Sequence, residues 1–228
     1  MLRKLCGIVG KYHARSRLRT KKLGRIAGQE ILLVLTPFSP RLRLLVPKHG
    51  FYAYALIGEP LTVEFIKGYF SRGIKFIDVG AGVGTYSILA AKFGCEVTAF
   101  DPDTLSYILT VLNYKLNDVQ LSARKISVGD YSSFSSISYI RLDDLEVIPD
   151  IIKIDVDGDE LLVIESDKRV LVKVRMIVIE LRPSTFYNVH KVLKSLGFKP
   201  IFVERLLQQE TLLRLYVEPN DFNVIYSH

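Results

Sequence analysis

From Leu61 onward, short apolar runs typical of strands alternate with segments whose apolar residues recur at helical spacing. The helical segments are LTVEFIKGYFSR, TYSILAAKF, TLSYILTVLNYKLN and STFYNVHKVLKSLG, the last with Ser184 as predicted N-cap and Gly197 just past its end. The strand-like runs are KFIDV, CEVTAF, ARKISV, DIIKIDV, VRMIVIEL, KPIFVE, LLRLYVE and NVIYS. This alternation predicts an α/β fold, with a mostly parallel sheet covered by helices on both faces.

A different pattern precedes Leu61. Three β-prone runs, ILLVLTPFSP, RLRLLVP and FYAYALIGEP, are separated by Pro and Gly. Their spacing predicts a small β-meander over roughly Ile31 to Ile57. We therefore expect a basic N-terminal arm over 1–29, a β-rich extension over 30–60 and one α/β domain over 61–228.

Charge changes this picture only at the N-terminus. Of the 31 basic residues, nine precede the first acid, Glu30, which leaves 22 basic against 24 acidic residues in the rest of the chain. The net charge of +7 therefore belongs to the arm. The arm has three interpretations: a solvated tail, an anchor on an anionic membrane surface, or a contact for an anionic substrate or nucleic acid. Its few aromatic residues argue against base stacking.

Neither a secretory signal nor a membrane span is expected, because no apolar run approaches the ~20 residues of a span and a basic segment follows the short run Leu5 to Val9. We expect a soluble, cytoplasmic protein that the arm could hold at a membrane surface. Cys6 and Cys95 show neither metal-site spacing nor a disulfide framework, so we expect free thiols.

The stretch FIDVGAGVGTYS places Gly80, Gly82 and Gly84 between a buried strand and a helix. Ligands of open parallel sheets bind outside the carboxyl ends of the strands. Glycines there let the chain turn sharply and let a ligand lie against the backbone. A nucleotide-type site is therefore predicted, with a purely structural turn as the alternative.

Two acids accompany the glycines. Asp101 ends the second strand, 21 residues beyond Gly80, where an acid can accept both ribose hydroxyls of a nucleoside. This spacing fits a nicotinamide cofactor as well as S-adenosylmethionine. Asp78, at the end of the first strand, would repel a pyrophosphate and attract the ammonium of a methionine moiety, which favours S-adenosylmethionine. Asp78 could equally serve as an acceptor for backbone N–H groups of the loop.

FIDVGAGVGTYS, AFDPD, SVGD, and RLDDL followed by PDIIKIDVDGDELLVIES resemble the FkbM family of S-adenosylmethionine-dependent methyltransferases, from about Gly58 to Leu181. The resemblance implies a class I methyltransferase (Rossmann-like) sheet of seven strands, with the last strand antiparallel and inserted near one edge. It implies methyl transfer, usually to a hydroxyl oxygen. It also implies that Asp155 faces the methyl group, that Asp130 lies near the adenine, and that the cofactor is bound by Asp78, Gly80, Gly82, Gly84, Asp101 and Asp130.

The sequence departs from the family pattern at two acids. Asp101 stands where glutamate is common, and Asp157 replaces the glutamate of the usual D-V-E-G run. Both substitutions keep the negative charge on a side chain that is one methylene shorter. The kept charge favours cofactor binding, whereas the shorter side chains change the geometry on which a catalytic role depends.

Methyl transfer to a hydroxyl needs an acceptor oxygen held in line and a group that takes its proton. Asp155 is the first candidate for that base; the others are Asp157, Glu180, Glu160 and His190. Asp157 could instead cap the next helix, Glu160 could serve its dipole, and His190 could be a packed or surface residue. Asp155 and Glu180 could also converge on Mg²⁺, although we predict no metal centre.

The leading hypothesis is an O-methyltransferase acting on a small molecule or glycan hydroxyl. A ribose methyltransferase whose arm grips phosphates, a non-catalytic cofactor-binding module and, more distantly, a nicotinamide oxidoreductase are the alternatives. The chain has DVDG after the fourth strand, where many amino-group nucleic-acid methyltransferases carry N-P-P-[YF]. This difference argues against N-methylation of bases but not against ribose methylation. We expect the acceptor pocket to be built from 31–57 and 131–139.

Overall fold

The computed structural model describes residues 20–49, 59–134, 136–205 and 222–228. Its strands are β1 (Thr20–Ile26), β2 (Gln29–Leu35), β3 (Arg43–Pro47), β4 (Lys75–Val79), β5 (Glu96–Phe100), β6 (Ser122–Arg124), β7 (Ser127–Val128), β8 (Tyr139–Ile140), β9 (Ile151–Ile154), β10 (Met176–Leu181), β11 (Lys199–Arg205) and β12 (Phe222–Ser227). Its helices are α1 (Pro60–Lys67), α2 (Thr85–Lys92), α3 (Thr104–Leu116), α4 (Glu160–Ser166), α5 (Lys168–Leu171) and α6 (Pro183–Ser195).

Seven strands form one sheet in the order β11-β12-β10-β9-β4-β5-β6. The strands from β6 to β10 in this order run parallel, whereas β12 is antiparallel to both of its neighbours. This is the sheet that the resemblance implied, with the last strand reversed and inserted beside the edge. All carboxyl ends of the parallel strands therefore meet at one edge, where the glycine loop lies.

Two hydrophobic layers cover the sheet because successive side chains of a strand point to opposite faces. Phe76 and Ile151 pack on one face with α1, α2, α3 and the N-terminal strands. Ile77 and Ile152 pack on the other face with α4, α5 and α6. Burial on both faces explains why the central strands read as continuous apolar runs.

The N-terminal strands form a separate antiparallel sheet in the order β1-β2-β3. This meander begins at Thr20, inside the segment that we assigned to the arm, and not near Ile31. The first six of the seven residues of β1 are exposed and three of the seven are basic, so the strand shows no apolar alternation. The rest of the arm (1–19) lies outside the described residues, as do most of FYAYALIGEP and the run LLRLYVE.

Helix α6 corrects one predicted boundary. It begins at Pro183, with Arg182 in the N-cap position, so Ser184 lies in its first turn and does not cap it. Proline suits the first helical position because its φ is already helical and its missing N–H needs no partner. Gly197, with φ of 94°, does follow the helix end as predicted. Among the described helices, none combines the length and apolar character needed to cross a bilayer.

Candidate functional site

The glycine loop, residues 80–84, joins β4 to α2 at the carboxyl edge of the sheet. Gly80, Gly82 and Gly84 have φ of 75°, 57° and 81°, the left-handed region that favours glycine. A Cβ on Gly80 would collide with the carbonyl oxygen of Asp155, and one on Gly84 would lie 2.9 Å from Cγ2 of Thr110. At these two positions the missing side chain makes room for a neighbouring strand end and for helix α3.

Asp101 fastens the loop to the end of β5. Its Oδ2 accepts a hydrogen bond from the Gly82 N–H at 2.8 Å, and its Oδ1 accepts one from the Asp103 N–H at 2.9 Å. Burial raises the pKa of Asp101 to about 6, against the effect of these two bonds. Each carboxylate oxygen can accept about two bonds and uses one here, so Asp101 can still accept from ribose hydroxyls.

Asp78 is a buried acid beneath the loop, 1% exposed. Its Oδ2 accepts from the Ser87 hydroxyl at 2.6 Å, while Oδ1 is buried and has no hydrogen-bond partner among the described residues. Burial raises the pKa of Asp78, and the nearby Lys153 charge opposes that rise. A buried oxygen without a donor is unfavourable, and a cationic group bound at the loop would relieve that penalty.

Lys153 is a charged residue in the middle of a buried strand, 4% exposed. Its Nζ donates to Asp155 Oδ2 at 2.7 Å and lies 5.1 Å from the centre of the Tyr86 ring. Burial alone would lower the pKa of Lys153, but the charges of Asp155, Asp78 and Glu59 outweigh it and raise that pKa. The ammonium therefore stays charged and orients the Asp155 side chain, which remains 30% exposed.

Glu59 is a fourth acid on this side of the sheet, and the sequence did not reveal it. Its Oε2 accepts from the Tyr86 hydroxyl at 2.7 Å and from Asn223 Nδ2 at 2.6 Å. Burial raises the pKa of Glu59 to about 7, although Lys153 lowers it. The only local signal is an acid directly before Pro60, a pattern that marks a helix start and not a site.

Asp157 and Glu160 lie after Asp155 on the chain. The structure corrects the alternative role of Asp157 as a helix cap, because α4 begins at Glu160 with Asp159 in the N-cap position. Positive φ at Asp157 (54°) and Gly158 (119°) turns the chain before the helix can begin. The Asp157 side chain is 97% exposed, 3.7 Å from an Arg182 nitrogen. Glu160 is buried and its Oε1 accepts from the Gly158 N–H at 2.9 Å, a contact that fixes the turn.

The other candidates are less central. Asp130 follows β7, where hydrogen bonds from Ser132 lower its pKa. Glu180 follows Ile179, which pairs with Ile154, so Glu180 and Asp155 lie next to each other at the carboxyl ends of neighbouring strands. His190 packs against Phe186, and its Nδ1 lies 3.1 Å from the Tyr226 hydroxyl. Within the described part of the chain, no group of three or more metal-ligating side chains is placed to hold an ion.

Comparison with known proteins agrees with this architecture. A family model described as the methyltransferase FkbM domain matches residues 135–200. Ribosomal protein L11 methyltransferases are similar over a shorter stretch: that of Oceanobacillus iheyensis is 38% identical over 65 residues, which are 28% of this chain and 21% of the relative. That of Campylobacter lari is 43% identical over 61 residues, 26% and 22% of the two chains. The chain thus matches about a fifth of the length of these relatives.

Solved methyltransferases share the fold at low identity. A ribosomal protein L11 methylase from Lactobacillus delbrueckii subsp. bulgaricus superposes with a TM-score of 0.57 and 18% identity, over 75% of this chain and 78% of that one. A Pyrococcus abyssi tRNA (uracil-54, C5)-methyltransferase in complex with S-adenosyl-L-homocysteine gives 0.57 and 18%, over 82% and 42%. A putative SAM-dependent methyltransferase from Streptococcus mutans gives 0.61 and 13%, over 90% and 57%. The predicted class I methyltransferase fold and the resemblance to the FkbM family are confirmed.

Proposed function

We propose that the chain transfers a methyl group from S-adenosylmethionine to a hydroxyl oxygen of a small molecule or glycan, because a methyltransferase FkbM domain model matches residues 135–200 and the fold is that of class I methyltransferases. The observation that carries the proposal is the placement of three carboxylates. Asp78 is the second-last residue of β4, Asp101 follows β5 and Asp155 follows β9, all at the edge that holds the glycine loop. Such an edge suits a cofactor with a ribose and two positive charges.

The residues at this edge fit the cofactor. Asp101 has acceptor capacity left for ribose hydroxyls, and the unpartnered Oδ1 of Asp78 suits the methionine ammonium. Asp130 is the candidate neighbour of the adenine. S-adenosylmethionine supplies a methyl group that is already activated by its positive sulfur, so binding and orientation are the main tasks of the protein.

Asp155 is the proposed base. Asp155 would accept the proton of the acceptor hydroxyl as that oxygen takes up the methyl group. Lys153 supports this step by holding Asp155 Oδ2 at 2.7 Å, which leaves the side chain in one orientation. Asp157 is exposed on the same turn and could contact the acceptor, whereas Glu180 could orient it from β10.

Ribose methylation of RNA is the second candidate, and the observation that favours it is the nine basic residues before Glu30. Phosphate contacts by the arm would make RNA affinity fall steeply with salt. Filter binding of a structured RNA to the full chain at 50 and 200 mM salt tests it. Salt-insensitive or absent binding would remove this candidate.

Isothermal titration with S-adenosylmethionine and S-adenosylhomocysteine tests the first proposal. We expect micromolar binding that Asp101→Ala weakens at least tenfold and that the exposed control Asp144→Ala preserves. Asp155→Asn should keep this binding and lose turnover in an acceptor screen. Failure of both ligands to bind, or full affinity in Asp101→Ala, would contradict the proposed cofactor site.

A further inference from the structure

Asn113, on α3, is fully buried and hydrogen-bonds in two directions. Its Oδ1 accepts from the Leu45 N–H at 2.6 Å, and its Nδ2 donates to the Leu45 carbonyl at 3.0 Å. The same Nδ2 also donates to the Val83 carbonyl of the glycine loop at 3.0 Å. One amide group therefore joins the β3 strand of the meander directly to the loop.

Thr110, three residues before Asn113, reinforces the contact on the loop side. Its hydroxyl donates to the Gly82 carbonyl at 2.9 Å. Helix α3 thus holds two successive carbonyl groups of the loop, and Asp101 holds the Gly82 N–H that directly precedes them. The orientation of Gly82 and Val83 consequently depends on the position of α3.

Asn117, one helical turn after Asn113, provides a built-in comparison. Its Oδ1 accepts from the Arg43 N–H at 3.0 Å and its Nδ2 donates to the Arg43 carbonyl at 2.7 Å. It pairs with β3 as Asn113 does, but the third hydrogen bond of its side chain goes to the Asn113 carbonyl, at 2.8 Å, and not to the glycine loop. Comparing variants of the two asparagines therefore distinguishes the effect of meander docking from the effect of contact with the loop.

We propose that Asn113 is a positioning residue that couples the N-terminal meander to the cofactor loop. Docking of β3 fixes the Asn113 amide, and the fixed amide fixes the Val83 carbonyl. Since coupling between two sites is reciprocal, cofactor binding then stabilises docking of the meander. The inference rests on the proposed function, because the glycine loop is taken to bind S-adenosylmethionine. It gives the meander a part in cofactor binding, although its strands lie outside the methyltransferase sheet.

The test compares Asn113→Ala with Asn117→Ala by titration with S-adenosylmethionine. We expect Asn113→Ala to weaken binding about tenfold, the order of one hydrogen bond, and Asn117→Ala to change it less than about twofold. Urea unfolding should show similar losses of stability in both variants, because each removes a buried amide that pairs with β3. If Asn113 had only a structural role, the two variants would bind the cofactor equally well at equal stability.

Hydrogen exchange gives a second readout, first in the wild-type chain and then in the two variants. The Leu45 N–H, whose partner is the Asn113 side chain, should exchange several-fold more slowly when wild-type chain is saturated with S-adenosylmethionine. This slowing should persist in Asn117→Ala and vanish in Asn113→Ala. Unchanged Leu45 exchange in a wild-type chain that binds the cofactor, or equal affinities of the two variants, would overturn the coupling. Absence of cofactor binding in the wild type would instead overturn the proposed function.

Discussion

In the wild type, ionisation of Glu59 should lower the free energy of unfolding as the pH rises. Replacing Glu59 by Gln should remove this pH-dependent loss. Glu59 is 9% exposed and binds its proton more tightly in the folded chain, where burial raises its pKa to about 7 from an ordinary 4.5. Its contribution to the free energy of unfolding is therefore complete below pH 4.5 and is lost as the pH rises through 7. Glutamine cannot titrate, and its carbonyl can still accept from Tyr86 and Asn223.

The size of the effect follows from the pKa difference. One pKa unit corresponds to about 1.4 kcal/mol, so the difference between 4.5 and about 7 amounts to about 3 kcal/mol. The charged groups that act on the pKa of Glu59 are Lys153 and Asp155, and both are present in the wild type and in the variant. We therefore expect the stability of Glu59→Gln relative to wild type to rise by about 3 kcal/mol between pH 4.5 and pH 8.

Urea unfolding followed by circular dichroism at several pH values measures this quantity. Circular dichroism is suitable because the chain contains 12 tyrosines and no tryptophan. The exposed Glu146→Gln is the matched control, and its difference from wild type should stay flat. If Glu59→Gln and wild type differ by the same amount at pH 5 and pH 8, the carboxyl is not held in the environment described above.

Two further substitutions test the centre of the site. Gly80→Ala should lose at least ~2 kcal/mol of stability and all cofactor binding, since its Cβ needs the space of the Asp155 carbonyl oxygen. Gly73→Ala is the control, because Gly73 has a similar φ of 85° and a Cβ there would meet no atom within 4 Å. It should lose only about 1 kcal/mol, from backbone strain. If the two variants lost equal stability in thermal unfolding, the collision at Gly80 would be contradicted. Lys153→Met should lose about 3–5 kcal/mol at pH 8, because its carboxylate partners are left uncompensated. The loss should shrink at pH 5, where Glu59, with a pKa of about 7, takes up a proton. If urea unfolding at pH 8 gave the variant the stability of the wild type, this reasoning would be wrong.

The central sheet was predictable because its strands are buried on both faces. KFIDV, DIIKIDV and VRMIVIEL are continuous apolar runs, and the structure places β4, β9 and β10 within them. Strand β1 was not predictable in the same way. Its basic, exposed sequence TKKLGRI is typical of a solvated tail, and only pairing with β2 makes it a strand.

The acids of the site were predictable from position, and their partners were not. Asp78, Asp101 and Asp155 stand where apolar runs end, a feature that the sequence shows directly. The contact of Glu59 with Asn223 joins residues 164 positions apart, which no local pattern encodes. Lys153 could have been identified as a site residue from the sequence, because a lysine between two buried isoleucines requires a compensating charge.

The way in which the glycine loop is held has a thermodynamic consequence. Asp101, Thr110, Asn113 and the Asp155 carbonyl fix residues 80–84 on several sides within the protein itself. A ligand that binds there meets a preorganised backbone, so it does not have to order a mobile segment. The conformational entropy of the loop is lost during folding and not during association, which leaves more of the interaction energy to appear as affinity.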